Sequence, residues 1–201
     1  MAGGNALSFL EAACVQQFGQ ENGKALLKQS ETLYQELLKS IPQSAHPAVR
    51  DHLQFKLLPM LAYYKCLRNT GFDQEQALEY VRRETRQTAE AQKERMEKLG
   101  RLPFAYTIFR LGAKKHLQKH FPDCGWETEW VQCGPREICF RLHRCIYWEL
   151  TKAQHCPELC GVFCENDKIA FSGLLPRIRF ERSGTLAGGA AYCDFHFEKA
   201  R

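Results

Sequence analysis

The spacing of the apolar residues changes near Pro122, and that change limits the chain to few folds. From Leu7 to Leu117 they recur every three or four residues, the period of a helix with one buried stripe. Past Pro122 they alternate with polar residues, the period of a strand with one buried face. Helices followed by strands build an α+β domain, with the helices packed mostly on one face of an antiparallel sheet. We therefore expect a single domain over residues 1–201, with a helical part at 1–120 and, at 121–201, an antiparallel sheet of about four strands with one or two short helices.

In the helical part, the first helix is expected over Ala6–Phe18 and the second over Gly23–Ser40, where Leu26, Leu27, Leu33, Tyr34, Leu37 and Leu38 share a stripe. A third runs from Ala48 to Asn69 and contains Pro59, whose missing N–H kinks or divides it. Asp73, with Gln76 three residues on, has the form of a capping box and opens the fourth helix. Residues 82–98 of that helix are polar enough to read as a solvated or mobile segment. Pro103 opens a fifth helix bearing His116 and His120, a metal-compatible pair that is read as surface because no third ligand accompanies it.

Trp126–Cys133 and Glu137–Tyr147 read as strands joined by Gly134-Pro135. In the second, Ile138, Phe140, Leu142 and Ile146 point one way, and Cys139, Arg141, His143, Cys145 and Tyr147 the other. A short helix from about Trp148 and another over Glu158–Glu165, opened by Pro157, precede strands at Pro176–Arg182 and Ala190–Glu198.

Lys and Arg total 28 against 23 Asp and Glu, a net charge of +5 without a dense basic block, which argues against a nucleic-acid partner. No apolar stretch approaches membrane-spanning length. Met1–Asn5 has no basic leader region and Glu11 interrupts the first apolar run, so a cytoplasmic location is expected. In a reducing compartment the ten cysteines are read as thiols, metal ligands or catalytic groups rather than disulfides.

The groups able to do chemistry concentrate in Cys145–His196. Cys156, Cys160 and Cys164 share one helical stripe, but their C-x3-C-x3-C spacing matches neither zinc ribbons nor iron–sulfur runs. A zinc or iron site there would need Cys145 or Cys193 as well, and no cofactor is assigned; Cys160 as a small buried hydrophobe is the plain alternative. Cys145, on the strand face of Arg141 and His143, is a candidate nucleophile, because nearby cations favour the thiolate. Cys193 is in phase with Phe195 and Phe197, an apolar face, while Asp194 points the other way with Tyr192 and His196. Arg182 and Arg179 are able to pair with Asp194 or to grip a substrate carboxylate. Glu158 and Asp167 are candidate general bases. The glycines at 184, 188 and 189 form no nucleotide-binding fingerprint.

Taken in order, several short motifs resemble the L-2-amino-thiazoline-4-carboxylic acid hydrolase family. They are Cys145-x-Tyr147, Pro157-Glu158-Leu159, Cys164-x-x-Asp167, the run Leu175–Arg182, Thr185-Leu186-Ala187-Gly188 and Cys193-Asp194-Phe195. Upstream, Leu58–Tyr64, Gly71-Phe72 and Ala77-Leu78 extend the resemblance, which covers about Val49 to Phe197. The resemblance implies hydrolytic opening of a small cyclic amidine, with Cys145, Cys164, Asp167, Cys193 and Asp194 at the recurring polar positions. On that reading Arg182 or Arg179 holds the substrate carboxylate, with Tyr147 and Glu158 also in contact. Cys145 or Cys164 attacks the amidine carbon, or Asp167 activates water for the attack, and His143 or Asp194 protonates the ring nitrogen. The competing readings are a non-catalytic module holding a metal or small ligand on the cysteine cluster, and a scaffold with a thiol-rich core. In each case neither nucleic acid nor membrane is a partner.

Overall fold

The computed structural model describes residues 7–200. Ala6, the expected start of the first helix, and Met1–Asn5, read for a leader, lie outside them. The chain divides into two compact units, with the boundary between Glu84 and Thr85.

The first unit is helical. A 3-10 turn at Ser8–Leu10 leads into α1 (Glu11–Phe18), followed by α2 (Gln20–Leu38), α3 (Pro47–His52), a π-helical turn (Leu53–Leu57), α4 (Leu58–Asn69) and the start of α5 (Gln74–Gly100). Gly23 does not open α2 but lies inside it, where α1 passes so close that a Cβ would overlap the Cys14 carbonyl. Gly23→Ala is expected to destabilise the protein by about 2 kcal/mol through overpacking, read as a lower urea midpoint at unchanged slope.

Pro59 falls in the first turn of α4, where its missing N–H is tolerated, and the π turn just before it makes the division. In the π register Pro59 would have to donate to the Gln54 carbonyl, and it has no N–H to give. The Tyr34 hydroxyl donates there instead, at 3.0 Å. The capping box of α5 is formed as expected: Gln76 N–H donates to Asp73 Oδ1 at 2.8 Å, and Asp73 N–H to Gln76 Oε1 at 3.0 Å. The polar stretch 82–98 is regular helix to Gly100.

The second unit holds the rest of α5, then α6 (Ala105–His120), β1 (Thr128–Cys133), β2 (Glu137–Leu142), α7 (Ile146–Ala153), α8 (Leu159–Ser172), β3 (Ile178–Glu181) and β4 (Cys193–Lys199). The α6 helix falls in the second unit with the sheet, and helix gives way to strand after His120, where the patterning puts the change. The strands form one antiparallel sheet in the order β1-β2-β4-β3, the α+β arrangement that the patterning predicts.

Register assigns each residue to a face. Ile138, Phe140, Leu142, Ile178, Phe180, Cys193, Phe195 and Phe197 point inward. Phe109 of α6 and Phe171 of α8 both pack on Phe197, at 4.9 Å between ring centroids. The outer face carries Glu137, Cys139, Arg141, Arg179, Glu181, Asp194, His196 and Glu198. His116 and His120 are exposed. Among the described residues no helix is long and apolar enough to cross a membrane.

Candidate active site

Cys145 is not on a strand. The strand β2 ends at Leu142, where His143 N–H donates to the Glu127 carbonyl at 2.9 Å and Ile146 N–H to the Gly125 carbonyl at 3.0 Å. These bonds turn the chain off the sheet and into α7, so the expected alternation fails beyond Leu142. Cys145 becomes the N-cap of α7, and Tyr147 becomes a buried helical residue. At an N-cap the sulfur meets unsatisfied amides and the positive end of the helix dipole, here the N–H groups of Tyr147 and Trp148.

The α8 helix supplies the other thiols. Cys160, Cys164 and Asp167 lie about one turn apart along it, and Cys160 hydrogen-bonds both Cys145 and Cys164. The bond from Cys160 is the largest influence on Cys145. Burial opposes it, and the helix amides add to it, bringing the Cys145 thiol from 9.0 down to about 7. Cys160, donor to both neighbours and buried, is pushed up. Cys164 is lowered by the same donor, against burial and Asp167. Cys160 has one S–H and serves one thiolate at a time. The helix amides therefore favour Cys145 as the thiolate. Cys160 is buried, as the reading of it as a small hydrophobe expects, and it lies against both other thiols.

Arg182, in phase with Phe180, points inward and is fixed on several sides. Its side chain is 2% exposed and donates through Nη2 to Asp167 Oδ2 at 2.8 Å. Nη1 donates to the Cys164 carbonyl at 3.3 Å and Nε to the Asp194 carbonyl at 3.2 Å. The guanidinium also lies 3.9 Å from the centre of the Phe195 ring. Arg182 therefore ties α8 to the sheet. Arg179 sits on the outer face with Glu181 and Glu198, at 3.0 and 3.6 Å.

Asp194 is committed to the β3–β4 connection. It accepts from Ser183 N–H and Ser183 Oγ, each at 2.8 Å, and from Gly184 N–H at 2.6 Å. Burial works to raise its carboxyl, but these bonds outweigh it and hold the group below the ordinary aspartate value. Cys193 is buried and its thiol is pushed up to about 11 by that burial, while its sulfur accepts from Leu186 N–H at 3.2 Å. Both residues hold the loop. Glu158 is the N-cap of α8, apart from the cleft described next.

Cys145 lines a cleft of about 370 Å³ together with His143, Arg144, Trp148, Glu149, Lys152 and Leu186. His143 Nε2 is 2.7 Å from Glu129 Oε2. Arg144 is held bidentately by Glu149, at 2.7 and 2.9 Å, and by the Cys124 carbonyl at 2.9 Å. The Lys152 ammonium lies 5.4 Å from the centre of the Trp148 ring. Tyr147 backs the thiols, with its ring 5.0 Å from Phe163, and its hydroxyl stays protonated because it is buried beside Cys145 and Asp167. The structure thus brings Cys145, Cys164, Asp167, Arg182 and Tyr147 together and places His143 at the cleft. It adds Trp148 and Lys152, one and two turns after Cys145 on α7, and Leu186 from the β3–β4 connection, which no local spacing ties to Cys145. The three ligand atoms that gather within 4.8 Å of one another, among the described residues, belong to Glu137, Cys139 and His196 instead of the α7 and α8 thiols.

The model of one protein family, described as L-2-amino-thiazoline-4-carboxylic acid hydrolase, matches residues 50–197. No curated protein and no solved structure matches the chain.

Proposed function

The chain belongs to the L-2-amino-thiazoline-4-carboxylic acid hydrolase family, and from that premise we propose that it opens the ring of a small sulfur-containing cyclic amidine with Cys145 as nucleophile. The observation that carries this is a thiol at a helix N-cap, brought down to about 7 and lining a cleft with basic residues. Lys152 receives the substrate carboxylate in place of Arg182 or Arg179.

The Cys145 thiolate adds to the amidine carbon between the ring sulfur and the ring nitrogen. The ring C–N bond breaks, and its electron pair leaves with nitrogen, which takes a proton from His143. With Nε2 engaged by Glu129, Nδ1 is the nitrogen able to serve the cleft. The carbon is then bonded to the Cys145 sulfur, the former ring sulfur and the exocyclic nitrogen. Water adds to it, giving a proton back to His143, and the Cys145 thiolate leaves. Substrate plus water yields an S-carbamoyl amino acid with a free amine.

The test incubates the purified protein with 2-aminothiazoline-4-carboxylate, follows amine release and weighs the acid-quenched protein. Turnover with a transient adduct on Cys145 is the expected result. Turnover without an adduct, unaffected by alkylation of Cys145, would transfer the reaction to water activated by Asp167. Lys152→Ala should raise KM by roughly 10-fold with kcat nearly unchanged, the pattern of a lost carboxylate contact.

A further inference from the structure

We propose that the outer face of the sheet binds a zinc-class divalent cation through Cys139 Sγ, His196 Nε2 and a carboxylate oxygen of Glu137, with water in a fourth position. The site lies on the sheet face opposite the thiol cluster and does not depend on the ring-opening reading.

Strand register builds it. Cys139 on β2 and His196 on β4 are directly paired, so their side chains rise side by side from one face. Glu137 is two residues before Cys139 on β2 and so shares that face. The three ligand atoms lie within 4.8 Å of one another, with Glu137 Oε2 2.9 Å from His196 Nε2 and 3.9 Å from Cys139 Sγ. Bond lengths of about 2.0–2.3 Å in a tetrahedral zinc site put donor atoms roughly 3.3–3.8 Å apart. The observed separations lie on either side of that range, and side-chain shifts below about 1 Å close the site.

A second observation concerns the far side of the imidazole. Glu181, paired with His196 across β3 and β4, places its Oε2 3.9 Å from His196 Nδ1. At 3.9 Å this carboxylate is beyond hydrogen-bond length, and it has to close on Nδ1 to fix the tautomer as carboxylates do behind metal-binding histidines. Thiolate, imidazole and carboxylate together suit zinc and disfavour magnesium or calcium, which take oxygen ligands alone. His196 and Glu181 also border a cleft of about 700 Å³, which leaves room for water at the fourth position.

The experiment strips the intact protein with a chelator and titrates it with Co(II), then Zn(II). A thiolate-to-cobalt charge-transfer band, saturating at one equivalent and bleached by zinc, is the expected result. Cys139→Ser should abolish the band, whereas Cys145→Ser and Cys164→Ser should retain it. Glu181→Gln keeps all three ligands and should weaken zinc binding roughly 10–100-fold. Zinc should raise the melting temperature of the wild type but not that of His196→Gln, with circular dichroism confirming that each variant is folded. A wild type without the band, or a band that survives in Cys139→Ser, would overturn the proposal.

Discussion

Replacing Cys145 with alanine should lower kcat/KM for ring opening by at least ~1,000-fold, because a missing nucleophile leaves only binding and electrostatic contributions. Cys145→Ser separates chemistry from structure. Serine is among the best N-cap residues, so α7 should be as stable as in the wild type or more so. The hydroxyl cannot ionise near neutral pH, so this variant should be as inactive as the alanine one. An alanine variant within about tenfold of wild type would remove thiol catalysis and leave the Asp167 water route.

The pH dependence follows from the direction of the shift. The thiol is lowered from 9.0 to about 7, so the charged form predominates above about 7 and is lost as pH falls through that value. Both kcat/KM and the rate of alkylation at Cys145 should rise to a plateau across that midpoint. Cys14 and Cys193, each pushed up to about 11, should stay unmodified at neutral pH. Cys160→Ala removes the donor that most favours the thiolate, so both midpoints should move upward. An unchanged midpoint would mean that Cys160 only packs.

What the sequence disclosed follows from which interactions are local. The change of period near Pro122 correctly separated helices from sheet, and the Asp73 capping box was found because both its bonds lie within four residues. The inward face of the second strand was legible as far as Leu142, since parity needs nothing beyond the strand. The error at Cys145 came from extending that parity through His143-Arg144-Cys145-Ile146-Tyr147. The same residues fit a helical stripe, with Ile146, Tyr147 and Thr151 buried along α7. What chooses helix is pairing with the Gly125 and Glu127 carbonyls, far away in sequence. Likewise Arg182 is in phase with Phe180, which points it inward. Only the approach of Asp167 and the Cys164 carbonyl shows that it fastens α8 to the sheet.

Arg182→Met should destabilise the protein by about 3 kcal/mol, the largest stability effect expected in the sheet unit. The guanidinium is buried, stacks on Phe195 and holds two carbonyls as well as Asp167. Methionine fills the volume but leaves the Cys164 and Asp194 carbonyls short of a donor. Asp167 is 41% exposed, so water rescues it when Arg182 is lost, which puts the loss at the low end of the range for broken buried pairs. In the opposite direction, Asp167→Asn leaves a buried cation with only neutral partners and should cost about 2 kcal/mol. Because each change removes the same ion pair, the double variant should be less destabilised than the sum by about 1 kcal/mol, measured by urea unfolding at equal slope. Additive losses would mean that Arg182 acts through its carbonyl and ring contacts alone. Since Arg182 anchors the α8 turn that carries Cys164 and Asp167, Arg182→Met should also loosen the Cys160–Cys145 contact. The alkylation midpoint of Cys145 should then move above 7 even where the variant remains folded.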